Sequence, residues 1–166
     1  MTHRKLWIAL LVVMAGSFAV LGGYGPRIRA SAPPLPTRVV TSGGQVVTDG
    51  ESIMRGQHVW QSLGGQEVGS IWGHGAYVAP DWTADWLHRE ATFLLDGWAG
   101  GEGAYAKLPP ERQAALRARL EGAMRRNTYD PATGTITIDP LRAEAFATNA
   151  AHYADVFRRG RDAYAI

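Results

Sequence analysis

No cysteine occurs anywhere in the 166 residues. That absence excludes a disulfide framework, thiolate zinc sites, iron-sulfur clusters and haem held by thioether bonds. Charge of one sign is also scarce, since 17 basic and 15 acidic side chains leave a net +2. The arginines are dispersed apart from Arg117, Arg119, Arg125 and Arg126 on one predicted helix and Arg158, Arg159 and Arg161 near the end. No basic stripe alternates with aromatics, so nucleic acid is not expected as a partner. His58, His74, His88 and His152 show no metal-ligand spacing and read as hydrogen-bonded structural histidines. Gly64, Gly65, Gly69, Gly73 and Gly75 lack the Lys-Ser/Thr ending of a phosphate loop and do not join a strand to a helix, which removes nucleotide binding. No internal repeat or low-complexity tract is present.

What is there begins with a long apolar run. Arg4 and Lys5 precede the charge-free stretch 6–24, which has the length a helix needs to cross hydrocarbon. A cleaved signal peptide is the competing reading, with Ala30-Ser31-Ala32 as the cleavage motif, but Pro33 follows at once and Arg27 and Arg29 intervene. An uncleaved anchor is favoured. His3, Arg4, Lys5 and the terminal amine orient the tail 1–5 inward, which predicts a single-pass inner-membrane protein with its soluble part in the periplasm. Residues 25–37 form a Pro-rich spacer, with Pro33, Pro34 and Pro36 stiff and extended. Residues 38–166 are the folded domain, whose composition of 46% apolar and 19% charged residues is that of one ordinary core.

Within that domain the two β-branched runs around Ser42-Gly43-Gly44 predict a hairpin. Thr48 or Asp49 caps a helix over about 51–63 carrying Ile53, Val59, Trp60 and Leu63. Asp81 caps a second helix, with Trp82, Trp86 and Phe93 on one face and Leu87, Leu94 and Trp98 widening it, and glycines 97–103 break it. A third runs from Pro109-Pro110 to about Arg126 with Leu116, Leu120 and Met124 spaced by four. Residues 129–138 form a second turn-and-strand unit, and Asp139-Pro140 opens a fourth helix bearing Leu141, Phe146, Tyr153 and Phe157.

Residues 69–90 are the densest segment, with three tryptophans and two histidines among glycines. Trp72 and Tyr77 beside Gly73 and Gly75 are costly to order on a surface, so the segment must lie against a core, a cofactor or another protein. Asp81, Asp85 and His88 share one helical face and form a candidate carboxylate–imidazole pair, although no nucleophile is placed to complete a hydrolase; the plainer reading is a capped helix with a polar face.

Gly56-Gln-His-Val-Trp60 followed by the run from Gly69 to Arg89 resembles the amino-terminal region of quinol-dependent nitric oxide reductases, the large (B) subunit system of denitrification. The resemblance covers in effect the whole chain. It implies a mainly α fold: a first transmembrane helix, then a periplasmic cytochrome c-like helical domain with two short β-hairpins, with a catalytic haem-copper-oxidase-type bundle as partner. The segment from Gly73 to Pro80 is also similar to a Gly-Ala-Tyr stretch in the c-type cytochrome subunit of cytochrome-dependent reductases. That alignment puts the haem cysteines at Gly65 and Val68 and the axial histidine at Gly69, so it implies a haem-less domain with Trp60, Trp72, Trp82 or Trp86 filling the space.

The same resemblance implies a calcium ion shared with the catalytic subunit at Gly75 and Tyr77, oxygen ligands suiting a hard cation. It places the contact with the bundle at Trp72, His74, Tyr77 and Asp81. No catalytic or cofactor-binding residue is implied within this chain, because the reductase needs histidines on several membrane helices and only one such helix is present. Two origins remain open, a split or truncated product and a separate accessory protein docked on the bundle. The other functional class is an independent membrane-anchored binding or assembly module that uses the aromatic loop.

Overall fold

The computed structural model describes residues 3–71, 73 and 80–164. Two compact units divide the chain, residues 1–35 and 36–166. In the first, one helix, His3–Ser31 (α1), runs 29 residues with no buried side chain. At 1.5 Å per residue that is roughly 44 Å, more than the hydrocarbon thickness of a bilayer. Its most apolar 18-residue window has a mean hydropathy of 2.2, so α1 is long and apolar enough to cross a membrane. The helix continues through Pro26 and ends at Ser31, whose hydroxyl donates to the Ile28 carbonyl at 2.9 Å.

Among the described residues the second unit carries four α-helices and four short strands. Strands Arg38–Thr41 (β1) and Val46–Asp49 (β2) pair antiparallel as the sequence predicts, with a shift in register between Val39 and Val40. Strands Tyr129–Asp130 (β3) and Thr135–Ile138 (β4) form the second hairpin. The two hairpins are one sheet: β1 pairs in parallel with β4, Arg38 opposite Thr135 through Thr41 opposite Ile138, in the order β2-β1-β4-β3. Three helices and their loops separate the central strands, so no local pattern carries that pairing.

Helix Gly50–Ser62 (α2) starts where Asp49 accepts a 2.7 Å bond from the Ser52 amide. Helix Trp82–Ala99 (α3) is capped by Asp81, which accepts from the Ala84 amide at 2.8 Å, and ends at Gly100, whose φ of 113° only glycine adopts without strain. Helix Pro110–Arg125 (α4) has proline in its first turn, and helix Pro140–Arg159 (α5) is capped by Asp139.

The core is the α3–α5 contact. Leu94 and Val156 are fully buried, Ala145 nearly so, and Gly97 lets Leu141 close against α3. Two expectations about apolar faces are corrected. Leu87 is 40% exposed, while Glu90, one turn away, is buried because Arg142 of α5 donates to its carboxylate at 2.7 Å. On α5, Phe146 and Phe157 stay exposed and Asn149 goes inside, donating to the Trp86 carbonyl at 3.2 Å. A charge or an amide is buried here only because a partner from the other helix meets it. Helix α4 keeps no residue fully buried; Leu116, Leu120 and Met124 are half-buried, and Arg119 lies 4.1 Å over the Trp98 ring.

Candidate functional site

Between α2 and α3 the chain makes a 3-10 turn, Gly65–Glu67, then returns through Ser70, which pairs with Asp81. The Ser70 amide donates to the Pro80 carbonyl at 3.1 Å and the Trp82 amide to the Ser70 carbonyl at 2.9 Å. Asp81 completes the clasp: besides capping α3, it accepts from the Ser70 hydroxyl at 2.7 Å and from the Gly73 amide. The Ser70 hydroxyl, the Ala84 amide and the Gly73 amide hold its carboxyl below the usual carboxylate range. This clasp ties Ser70 to the start of α3.

Two tryptophans cover the glycines that precede the clasp. A Cβ on Gly65 would lie 2.2 Å from Trp60 Cδ2, and one on Gly69 would lie 1.9 Å from Trp82 Nε1. Both glycines are buried, so the indoles sit where side chains at positions 65 and 69 would begin. Trp82 is the hub. It packs edge-on to Trp60 at 6.4 Å and Tyr153 at 5.8 Å, and tilted on Phe157 and Tyr164 at 5.3 Å each. The indole nitrogens of Trp60 and Trp82 are buried and have no hydrogen-bond partner among the described residues.

Beside the plug an apolar cleft of about 560 Å³ opens between α2 and the end of α5, walled by Val59, Trp60, Leu63, Gly65, Val68 and Phe157. The two positions aligned with haem cysteines, 65 and 68, thus stand on one wall. With glycine, valine and glycine at 65, 68 and 69, no thiol or imidazole is available, and a thioether-bound haem with histidine ligation does not fit these residues.

Asp85 and His88 do not pair. His88 is exposed, and its side chain makes no hydrogen bond among the described residues. Asp85 instead accepts at one oxygen, Oδ2, from Arg89 Nε at 2.9 Å, the Tyr153 hydroxyl at 2.7 Å and the Tyr164 hydroxyl at 2.9 Å. Burial pushes its carboxyl up, but those three donors outweigh burial and hold it below the usual range. Burial and the adjacent Asp85 carboxylate push the Tyr153 hydroxyl well above its ordinary value. His152 Nε2 lies 3.1 Å from the Tyr164 oxygen; burial, then Arg89 and Arg161, push its imidazole down. Sequence spacing made the Asp85–Arg89 pair legible at i, i+4. It offered nothing for Tyr153, Tyr164 and His152, more than sixty positions away.

Of the residues expected at the bundle contact, Asp81 is the clasp above, and Trp72, His74 and Tyr77 lie outside the described residues. So do Gly75 and Tyr77 as calcium ligands. Among the described residues no group of three His, Asp or Glu side chains is arranged to hold a metal.

Over residues 36–166 the chain matches the family described as the NorB cytochrome c-like domain of nitric oxide reductase. No curated protein matches it. The family match takes in well over half of the chain and the apolar helix stands before it, so the chain belongs to the NorB cytochrome c-like domain family of nitric oxide reductase.

Proposed function

We propose that the chain is a haem-free, membrane-anchored domain of the quinol type of nitric oxide reductase, with a structural role. It caps the periplasmic face of a haem-copper-oxidase-type catalytic bundle that these 166 residues do not include, and it carries no electron itself. The observation that supports this reading is the indole plug: Trp60 and Trp82 occupy the approach to positions 65 and 69, where attachment and axial ligation of a haem would begin. The two indoles fill the interior beside positions 65 and 69 and leave open the cleft walled by Trp60 and Val68. Helix α1 supports the anchor, and the charge at its amino end supports a periplasmic domain.

The purified full chain is expected to show no Soret band while its near-ultraviolet dichroism reports ordered indoles; a stoichiometric haem spectrum would overturn the reading. Copurification tests the partner, with a catalytic reductase subunit recovered alongside the chain as the expected result. The open cleft between α2 and α5 favours the second reading, an independent binding or assembly module, and recovery of an unrelated partner in place of the reductase would select it. Calcium at Gly75 and Tyr77 belongs to the first reading. Tyr77→Phe is then expected to lower the calcium content of the purified complex, and unchanged metal and activity would remove the ion from the account.

A further inference from the structure

We infer that the turn Asp162–Tyr164 is a proton-sensitive latch, seated on α3 and α5 while His152 is neutral and released when His152 takes up a proton. Asp162 and Ala163 are exposed, and only Tyr164 of this turn is buried. Its hydroxyl supplies the turn's polar hold on the helices. It donates to Asp85 Oδ2 at 2.9 Å and accepts from Arg89 Nη2 at 2.6 Å, with His152 Nε2 at 3.1 Å. The ring packs against Trp82, at 5.3 Å, and against His152, at 6.0 Å.

The hydrogens assign the roles. A tyrosine hydroxyl has one proton, and the ionised Asp85 carboxylate takes it. Tyr164 is then an acceptor toward both Arg89 and His152, so Nε2 of His152 carries a hydrogen and Nδ1 is its open basic nitrogen. A proton at Nδ1 places a second positive charge beside Arg89 of α3 and Arg161 ahead of the turn. The carboxylates that face it are already engaged: Asp85 with Arg89 at 2.9 Å, and Asp155 of α5 with Arg159 at 2.9 Å and Arg161 at 3.4 Å. Tyr153, against the imidazole at 5.2 Å, is neutral and donates its own hydrogen to Asp85. The new charge therefore meets cations beside carboxylates that Arg89, Arg159 and Arg161 already offset. The direction of the His152 shift agrees: burial, Arg89 and Arg161 disfavour the charged form and outweigh Asp85 and Asp155, which favour it.

The sign follows from linkage. Release of the turn removes the burial that Tyr164 gives His152 and the nearby charge of Arg161, so the seated turn binds fewer protons than the released one, and seating is strongest above the ordinary histidine range and weakens on acidification. It does not rest on the haem-free reading, because it needs only the bonds that join Tyr164 to Asp85, Arg89 and His152.

Amide hydrogen exchange on the full chain in detergent tests it, comparing a peptide over 158–164 with an α3 peptide containing Leu94, each corrected for intrinsic exchange. Protection of the turn is expected to fall as pH drops below about 6.5, by up to about tenfold per unit, while the α3 peptide holds. His152→Gln keeps a neutral donor and is expected to flatten the profile with the turn still protected. Tyr164→Phe is expected to lower protection at every pH. A flat wild-type profile, an unchanged slope in His152→Gln, or parallel loss in the α3 peptide would each overturn the latch.

Discussion

A side chain at position 69 would start 1.9 Å from an indole nitrogen, and one at 65 would start 2.2 Å from an indole carbon. Neither tryptophan is a flexible tip that swings aside, since Trp82 is held by four rings around it. Gly69→Ala and Gly65→Ala are therefore expected to destabilise the domain by about 1–3 kcal/mol each through overpacking, read as a lower urea midpoint with an unchanged slope. Asp85 is the other residue on which much depends, because three donors share one of its oxygens. Asp85→Asn is expected to cost on the order of 2 kcal/mol. The folded-state value of Asp85 lies below the unfolded one, so its contribution is full above about pH 4 and is lost as pH falls through the folded value. The Asn variant should accordingly lose part of the acid limb of the stability profile, as acid titration followed by circular dichroism would show.

Among the elements, α3 receives most of the inter-element bonds. Its amino end is the Asp81 clasp, its middle meets α5 through Glu90 and Arg142, and its last turn holds the glycine loop through Asp96, which accepts from the Tyr105 amide at 3.0 Å. Two consequences follow for its stability. Asp81→Ala should lower the urea midpoint more than Asp49→Ala, because Asp49 caps one helix whereas Asp81 also ties Ser70 and Gly73. Glu90→Ala should cost roughly 3 kcal/mol by leaving Arg142 unpaired against a buried surface, and Glu90→Leu with Arg142→Met should recover most of it. A double variant as unstable as the single one would show that the pair is not what decides the site. Helix α4 differs in kind: with no fully buried residue it is held by a half-buried face and the Arg119–Trp98 contact, and substitutions on its outer face should be nearly silent.

At the scale of the molecule, residues 36–166 contain their own sheet, core and clasp, while α1 buries nothing in the structure. Removing residues 1–35 should therefore leave the helical dichroism and urea midpoint of the domain in place and move it to the aqueous phase, whereas the full chain should partition with detergent or membranes. A truncated domain that stayed membrane-bound would place the attachment elsewhere, with the exposed Val59, Leu63 and Phe157 around the cleft as the first residues to examine.

Helix positions were legible because their signals are local: Asp49, Asp81 and Asp139 are caps within three residues of the amides they serve, Pro110 and Pro140 sit in first turns, and Gly100 stops α3. The apolar N-terminal helix was legible by length, and the family by the run from Gly69 to Arg89 together with Gly56 to Trp60. Absent cysteine means that these 166 residues offer a haem no thioether bond. The sheet was not readable as one body, since β1 and β4 meet across about ninety residues of intervening chain. Nor was the burial of Glu90, the exposure of Leu87, or the gathering of Asp85, Arg89, His152, Tyr153 and Tyr164 at one hydroxyl and one carboxylate. A periodic pattern says which face of a helix is apolar, whereas a buried charge or a shared proton depends on which other helix arrives opposite it. Capping and length are decided by bonds a few residues long, so the sequence alone determined them; partnership between distant side chains is decided only when the chain folds.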